Sequence, residues 1–374
     1  MSAVFLYGTL RHLPLLRIVI GAEAERSAPA QLAGHGVVQA DGEDFPMIVA
    51  APGAVAEGVV LRDPSPEALA RLDFYEAGFA YDRRPAIVTT GDGSIEATVF
   101  FPQSGLWQAG GPWRLQDWAA TWGSTAERAA SDIMARFGRD DAATIARFRQ
   151  QIWSRAASSV RAASNSRPQR VRTLYGREDV ESLSLARPYD KFFMLEEQDV
   201  QFRRFDGGLS DLVARAAFVS GDAVTVLPYD PGRDRVLLLE QFRFGPYVRG
   251  DLCPWSLEPI AGRIDAAETP EVCAVREARE EADLELSRLE FIARYYPSPG
   301  VMTEYLFSYV GIADLPDSAA GLAGIDHEAE DIRTIVMPFG DLMDLLASGE
   351  AETGPLILSA LWLAAHRDRL RAGA

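Results

Sequence analysis

The sequence has few of the residues that build disulfide frameworks and zinc sites. It contains two cysteines, Cys253 and Cys273, four scattered histidines and a single lysine, Lys191. Because the cysteines show no pairing or metal-ligand spacing and the histidines do not cluster, the sequence excludes a disulfide scaffold and predicts no zinc site. Cysteine usage of this kind is typical of a reducing compartment, so we expect a cytoplasmic protein.

Positive charges are fewer than negative charges, 37 against 54, and long apolar runs are also lacking. The net charge of −17 disfavours a general nucleic-acid-binding role, although metal ions and local arginines still allow a small phosphorylated ligand. No apolar run is long enough to span a bilayer. The moderately apolar N-terminus is interrupted by Arg11, His12 and Arg17 and has no basic segment before it, so we do not expect a signal peptide. We therefore expect neither a nucleic acid nor a membrane as a partner.

The length of 374 residues and the changes in pattern along the chain predict two domains and a connector. The first hundred residues alternate short strands with one helix, for which Ser65 is the expected N-cap and Pro66 the first residue. Residues 142–177 hold eight arginines and no acid, which indicates a helix running into a solvated linker or, alternatively, a contact with a partner or RNA. The predicted division is 1–115, a helical connector with a basic linker over 116–170, and 171–374.

Several segments are predicted to be strands from their β-branched and aromatic content. In the second domain, a Pro-Gly turn predicts a hairpin, and the order of strands and helices predicts a mixed sheet packed between helices. The strand segments of the first domain are AVFLYG, HGVVQA, FPMIVA, EGVVLRD, RPAIVTT and IEATVFFP.

The most unusual stretch is GRIDAAETPEVCAVREAREEADLEL, which crowds eight carboxylates and three arginines into residues 262–286. Thr269 and Pro270 predict a helix over 270–282. Helical spacing places Val275, Ala278 and Ala282 on one face and the glutamates on the opposite face. Glutamates one turn apart can chelate a hard cation such as Mg²⁺ or Mn²⁺. The alternative is an exposed acidic face. The glutamates on that face are Glu277, Glu280 and Glu281.

The spacing of this stretch resembles the signature of the Nudix hydrolases. A glycine, five residues, a glutamate, seven residues, Arg-Glu, two residues and Glu-Glu occur in that order, followed by Asp283 where the family usually has glycine. Asp283 is expected to end the helix in a left-handed conformation, which aspartate tolerates. The resemblance implies two or three Mg²⁺ (or Mn²⁺) ions that bridge and polarise a diphosphate.

The resemblance also implies a role for each residue of the motif. Metal ligands would be Glu277, Glu281 and the Ala261 carbonyl, with Glu280 as the neighbouring carboxylate. Gly262 belongs to the motif, and Glu268 and Arg276 would orient the glutamates.

The flanking segments LLLEQFRFG, PWSLEPIAG, YYPSPGVMTE and HEAEDIR resemble the ADP-ribose pyrophosphatases, especially the tellurite-resistance-associated branch. The resemblance implies hydrolysis of ADP-ribose to AMP and ribose 5-phosphate, with a nucleotide sugar as the alternative substrate and a non-catalytic ADP-ribose sensor as the alternative function. It also implies a homodimer through the Nudix domain, with 175–215 as the candidate interface. An aromatic such as Phe192, Phe193 or Phe244 would stack on adenine or belong to the core. The implied site residues outside the motif are Glu328 as general base, Glu330 as metal ligand, Arg243 and Arg215 near phosphate or ribose, and Glu304 near the terminal ribose.

The amino-terminal segments VFLYGTL and LARLDFYEAG resemble the gamma-glutamylcyclotransferase-like fold of the AIG2 type. The resemblance implies a loop of Tyr7, Gly8, Thr9 and Leu10 that cradles a substrate carboxylate, and Glu76 as the residue that shuttles protons. The alternative is a domain kept for packing or binding, because a fold does not imply its chemistry. The fold class is therefore mixed α and β, with a C-terminal Nudix α/β/α sandwich behind a small β-barrel-like domain and a helical connector.

Overall fold

The computed structural model describes residues 3–76, 81–164, 168, 170–324 and 331–373. The chain divides into two compact units, Met1–Arg167 and Pro168–Ala374. Within the described residues, no helix is long and apolar enough to cross a membrane.

The first unit is built on a barrel, as the resemblance implied. The strand order is β3-β1-β5-β4-β2, and the barrel closes because β2 also pairs with β3; β6 extends β2 on its outer side. Buried apolar side chains, among them Phe5, Ile48 and Val99, fill its interior. The strands are β1 (Ala3–Leu6), β2 (Ala28–Ala40), β3 (Pro46–Arg62), β4 (Tyr81–Thr90), β5 (Gly93–Pro102) and β6 (Ala109–Pro112).

Strand β3 corrects one prediction. The segments FPMIVA and EGVVLRD, predicted as two strands, are the two ends of this single 17-residue strand. The chain bends at Gly53 and, on the partner strand, at Gly34, which both take positive φ values, and the β2–β3 register shifts between Ala33 and His35. A bulge of this kind bends a strand pair without ending it.

The helices over 115–164, assigned to a connector on the sequence, pack within the first unit. His12 is 2.8 Å from Glu127 of α3, and the Trp118 indole N–H donates to the Asp44 carbonyl oxygen at 2.9 Å. Phe137, beyond the end of α3, meets Phe74 edge to face. The helices are α1 (Leu13–Ile20), α2 (Pro66–Glu76), α3 (Leu115–Met134), α4 (Ala142–Arg147) and α5 (Arg149–Ser164).

The second unit contains a four-stranded antiparallel sheet and a larger mixed sheet. The larger sheet follows the order β15-β16-β11-β12-β18-β17, with β13 on β12 and β14 on β11, and its β11–β16 pair is parallel. The small sheet is formed by β7 (Val180–Ser182), β8 (Ala186–Asp190), β9 (Met194–Phe202) and β10 (Val213–Val219). The large sheet is formed by β11 (Ala223–Asp230), β12 (Arg235–Phe242), β13 (Trp255–Glu258), β14 (Ile260–Arg263), β15 (Arg288–Tyr295), β16 (Leu306–Ile312), β17 (Gly321–Ala323) and β18 (Ile332–Pro338).

Helices cover both faces of the large sheet, which confirms the α/β/α sandwich. One core lies between the sheet and α7 and includes Cys273, Ala274 and Ala278. The other core lies against α8 and α9 and includes Leu342 and Leu363. The helices are α6 (Phe244–Arg249), α7 (Pro270–Ala282), α8 (Phe339–Ser348) and α9 (Gly354–Ala372).

The large sheet forks at its centre. Strands β11 and β12 pair at their hairpin end, where Tyr229 faces Val236, and then diverge. Strand β13 pairs with β12 and β14 pairs with β11, so the chain crosses from one arm of the fork to the other at Pro259. The crossing brings Ala261 and Gly262 next to helix α7, and this placement positions the site.

Candidate active site

Helix α7 begins and ends where the sequence predicts. The Thr269 hydroxyl accepts a hydrogen bond from the Val272 N–H at 3.3 Å, Pro270 is the first residue, and Asp283 ends the helix with φ 50°. One predicted face is partly wrong. Val275 is 37% exposed, while Cys273 and Ala274 join Ala278 and Ala282 in the core. The buried face is therefore turned by one position from the prediction, because it packs against the edge of β14 as well as against the sheet.

Two glutamates of α7 are buried against β14. Glu277 is 9% exposed and Glu281 is 3% exposed. The Ala261 N–H donates to Glu281 Oε2 at 2.9 Å. A Cβ placed on Gly262 would lie 1.8 Å from the Glu277 carboxyl carbon, so glycine is required for the strand to pass this close. The structure thus brings the predicted carboxylates and backbone positions together.

Arg276 ties the acidic cluster together. Its guanidinium donates to both carboxylate oxygens of Glu268 at 2.7 and 2.9 Å, to Glu277 at 2.8 Å and to Glu280 at 2.7 Å. Burial opposes ionisation of Glu268, but the bonds from Arg276 and from the Asp265 N–H outweigh it and lower the pKa of that carboxyl. The arrangement holds the carboxylates in place and favours the ionised form of Glu268.

The donor chemistry of the cluster fits a hard divalent cation. Arg276 donates to three of the carboxylates, those of Glu268, Glu277 and Glu280, and the Ala261 N–H donates to Glu281. Carboxylate oxygens are the donors that suit Mg²⁺ or Mn²⁺. Among the residues that the structure describes, no three acidic, histidine or cysteine side chains converge as a complete metal site. The remaining predicted ligand, Glu330, and the predicted base, Glu328, lie outside the described residues.

A cleft of about 440 Å³ opens beside the cluster at the fork of the sheet. Its walls include Ala261 and Gly262 together with two predicted substrate residues, Arg243 and Glu304. Burial raises the pKa of the Glu304 carboxyl, while the charges of Arg263 and Arg243 oppose this shift. The cleft therefore places guanidinium groups and a carboxylate next to the backbone of Ala261, a predicted metal ligand.

Two residues of the cleft were missed by the sequence reasoning. Glu258 receives Arg243 through three hydrogen bonds of 2.6 to 3.1 Å. Arg263 lies with its guanidinium carbon 5.0 Å from the centre of the Phe192 ring, close enough for a cation–π contact. Arg263 directly follows the motif glycine and Glu258 lies four residues before it, so their sequence position beside Gly262 is the signal that could have found them.

Arg215 lies elsewhere. It is exposed on β10 in the small sheet, where it bonds to the carbonyl of its neighbour Ala214, and it is not among the residues lining the cleft of this chain. Of the aromatic candidates, Phe193 meets Phe192 edge to face at 4.9 Å, and Phe244 is 68% exposed on α6.

The predicted residues of the first unit also come together. A cavity of about 30 Å³ is lined by Tyr7, Gly8, Thr9, Leu10 and Glu76. This volume admits about one water molecule. Gly8 lies close to Pro46, since a Cβ there would be 3.2 Å from the proline ring.

Burial raises the pKa of the Glu76 carboxyl to about 7, although the charge of Arg149 on α5 opposes the shift. As a residue Glu76 is only partly buried, but its carboxylate faces the cavity, where desolvation governs its ionisation. A carboxyl group that titrates near neutral pH can both accept and donate a proton. The helical segment after the barrel thus contributes a charge to this cavity.

Glu76→Gln is expected to be more stable relative to wild type at pH 8 than at pH 4.5, by about 2–3 kcal/mol. A folded-state pKa raised above the unfolded value means that the folded protein binds the proton more tightly. Its free energy of unfolding therefore falls as pH rises from about 4.5 to 7, and glutamine removes this loss. Denaturant unfolding of the first unit at both pH values measures it.

Glu67→Gln, at the exposed start of the same helix, is the matched control and should change little. Equal effects of Glu76→Gln at both pH values would contradict the assignment.

Comparison with known proteins confirms the family resemblance of both domains. Residues 4–120 match the family model for gamma-glutamyl cyclotransferase, AIG2-like, and residues 219–358 match the model for the NUDIX domain. The ADP-ribose pyrophosphatase of Escherichia coli (strain K12) is 34% identical over 205 residues, which are 55% of this chain and 97% of the relative. That of Haemophilus influenzae is 31% identical over 199 residues, 53% of this chain and 91% of the relative. The GDP-mannose pyrophosphatase of Escherichia coli O1:K1 / APEC is 32% identical over 169 residues, 45% of this chain and 86% of the relative.

Proposed function

Because this chain belongs to the Nudix hydrolase family, we propose that its second unit hydrolyses the diphosphate of ADP-ribose to AMP and ribose 5-phosphate. The observation that carries the proposal is the pair of buried glutamates, Glu277 and Glu281, held against β14 at the edge of a cleft that also contains Arg243. Two carboxylates one helical turn apart supply the oxygen donors that a divalent cation prefers, and a cation beside arginine binds a diphosphate well.

Some residues of the cluster would bind the metal ions, and others would orient the binding side chains. Glu277, Glu281 and the backbone of Ala261 would hold two or three Mg²⁺ ions, with Glu330 as a further ligand. When bound, these ions polarise the diphosphate and lower the pKa of water. Arg276 and Glu268 keep the glutamates in place. Mutation of groups that orient metal ligands in this way commonly lowers metal affinity or activity by about 10–100-fold.

Proton removal from the attacking water is assigned to Glu328, with Glu280 assisting. Glu280 bonds to Arg276 and is more exposed than Glu281, so it can reach solvent at the mouth of the cluster. A carboxylate near metal-bound water can take a proton at neutral pH. Glu328→Gln should therefore lower the rate constant for turnover more than the affinity for substrate, as steady-state kinetics would measure.

Nucleotide sugars are the alternative substrates, favoured by the likeness to a GDP-mannose pyrophosphatase. The test is to compare kcat/KM for ADP-ribose, ADP-glucose and GDP-mannose with product identification by mass spectrometry. ADP-ribose should be preferred by at least about tenfold, which corresponds to 1.4 kcal/mol. A higher value for either sugar would overturn the assignment. Tight binding of ADP-ribose without metal-dependent turnover would indicate a sensor instead.

For the first unit we propose acid–base chemistry at Glu76 on a γ-glutamyl amine, whose amino group attacks the side-chain carbonyl to form a lactam and release the amine. The raised pKa of Glu76 beside Tyr7 and Gly8 favours this function. The lactam should form with wild type and be absent with Glu76→Gln. Absence of lactam with wild type would leave a binding role.

Two further properties follow from the second unit. Strands β7 to β9 expose large apolar side chains, including Val180, Tyr189 and Phe202, so we propose a homodimer through 175–215. Light scattering should give the mass of two chains.

The free thiols of Cys253 and Cys273 are consistent with a cytoplasmic protein. Comparing the thiol content of the protein from the cytoplasm with that after export would test this.

A further inference from the structure

The cleft of the second unit contains a buried carboxylate, Glu258, to which the proposed chemistry gives no role. We propose that Glu258 is a positioning residue. It holds the guanidinium of Arg243 at a fixed distance from Glu277 and Glu281, so that one diphosphate can contact both Arg243 and the metal ions that the two glutamates would hold. The inference rests on the proposed function and adds a determinant of substrate affinity to it.

The bonding between the two side chains is directional. Arg243 Nε is 3.1 and 2.9 Å from the two carboxylate oxygens of Glu258, and Arg243 Nη2 is 2.6 Å from Oε2. A planar guanidinium bonded along its Nε and Nη2 edge to a carboxylate has a fixed plane and direction. A phosphate oxygen would then be met by the Nη1 side of the group.

Burial separates this pair from an ordinary surface ion pair. The Glu258 side chain is 11% exposed, whereas the Arg243 side chain is 41% exposed and reaches into the cleft. Exposed pairs contribute little because both long side chains must be ordered in water. Here Glu258 lies on a strand of the sheet with its side chain buried, so Arg243 is ordered by a partner that is already fixed.

Strand pairing fixes the backbones of both residues. Glu258 lies opposite Leu239 in the β12–β13 pair, and the Arg243 N–H donates to the Pro254 carbonyl oxygen at 2.8 Å. The distance between the two backbones is therefore set by one pair of hydrogen-bonded strands.

The same strand segment continues to the acidic helix. Pro259 follows Glu258 and crosses the fork, and two residues later the Ala261 N–H donates to Glu281 at 2.9 Å. The chain from Glu258 to Ala261 is too short to flex freely, and proline fixes one of its dihedral angles. Arg243 is thereby tied through Glu258 to the carboxylates that would hold the metals.

Without Glu258 the arginine side chain has to be ordered by the substrate itself. Ordering one long side chain on binding corresponds to a loss of up to about tenfold in affinity. We expect Glu258→Gln to raise KM for ADP-ribose about tenfold and to change kcat by less than about threefold, because the metal cluster is untouched.

The experiment is a double-mutant cycle of Glu258→Gln and Arg243→Gln, with thermal unfolding measured for each protein. If Glu258 acts through Arg243, the effects are not additive, and Glu258→Gln raises KM little further in the Arg243→Gln protein. Glu240→Gln is the matched control. Glu240 lies on β12, the strand that pairs with β13 of Glu258, and it pairs with Arg333 at 2.6 Å outside the cleft, so the KM of Glu240→Gln should equal that of wild type.

An unchanged KM in Glu258→Gln, or an equal rise in KM with and without Arg243, would overturn the inference. If Glu258→Gln does not fold, Glu258→Asp, which keeps the charge with a shorter reach, should give an intermediate KM, and a wild-type KM in that variant would count against the role. Wild type that fails to turn over ADP-ribose contradicts the proposed function alone. In that case the dissociation constant of ADP with Mg²⁺, measured by calorimetry on the same proteins, takes the place of KM.

Discussion

Glu281→Gln is expected to lower the rate of Mg²⁺-dependent AMP release from ADP-ribose by on the order of 10³-fold, about 4 kcal/mol of activation free energy. The free energy of unfolding should change by only about 1 kcal/mol. Glu281 is buried and accepts the Ala261 N–H at 2.9 Å, and the glutamine oxygen can keep that bond. What glutamine removes is the negative charge that a metal requires.

Kinetics and denaturant unfolding of the same preparation separate the two effects. Glu285→Gln is the control, because Glu285 is an exposed carboxylate just beyond the same helix that pairs with Arg279 at the surface. Its activity should match wild type. A Glu281→Gln protein that keeps more than about a tenth of wild-type activity would contradict the metal role, since one decade corresponds to only 1.36 kcal/mol.

Gly262→Ala is expected to lower activity by about 10²-fold or more, because displacing a metal ligand by about 1 Å can have an effect of that size. A methyl group at this position would lie 1.8 Å from the carboxyl carbon of Glu277 and 1.8 Å from its Oε1, so the carboxylate must move. Displacement also breaks the bond from Arg276 to Glu277. Activity assays with a Mg²⁺ titration measure both the loss of rate and the weaker response to metal.

Gly340→Ala provides the comparison. Gly340 lies near the start of α8, and a Cβ there would have no atom within 4 Å, so the same chemical change meets no obstacle. Full activity in Gly340→Ala and a large loss in Gly262→Ala would assign the effect to Glu277. Full activity in Gly262→Ala would show that the position of Glu277 tolerates movement and would weaken the proposed site.

The parts of this fold that local chemistry determines could be predicted from the sequence. Helix α7 was predicted over 270–282 from Thr269 and Pro270, and the structure has those bounds. Asp283 was expected to be left-handed and has φ 50°. These features depend on a few neighbouring residues, so the sequence alone contains the information.

Features set by distant contacts escaped prediction. The burial of α7 includes Cys273 rather than Val275, because β14 crosses the fork of the sheet and covers that side of the helix. The pairing of Arg243 with Glu258 arises from the same crossing. In the first unit, helix α1 over Leu13–Ile20 was not predicted, since its apolar side chains pack on elements far along the chain. The periodicity of one segment does not show which distant residues pack against it.

The crowded carboxylates of α7 are proposed to hold the metal ions that the second unit needs to hydrolyse ADP-ribose. The most direct test of this claim is AMP release from ADP-ribose, with Mg²⁺ and after chelation, by wild type, Glu281→Gln and Glu76→Gln. We expect AMP from wild type and Glu76→Gln only when Mg²⁺ is present, and none above background from Glu281→Gln. Undiminished AMP release after chelation, or no AMP from folded wild-type protein with Mg²⁺, would contradict the claim.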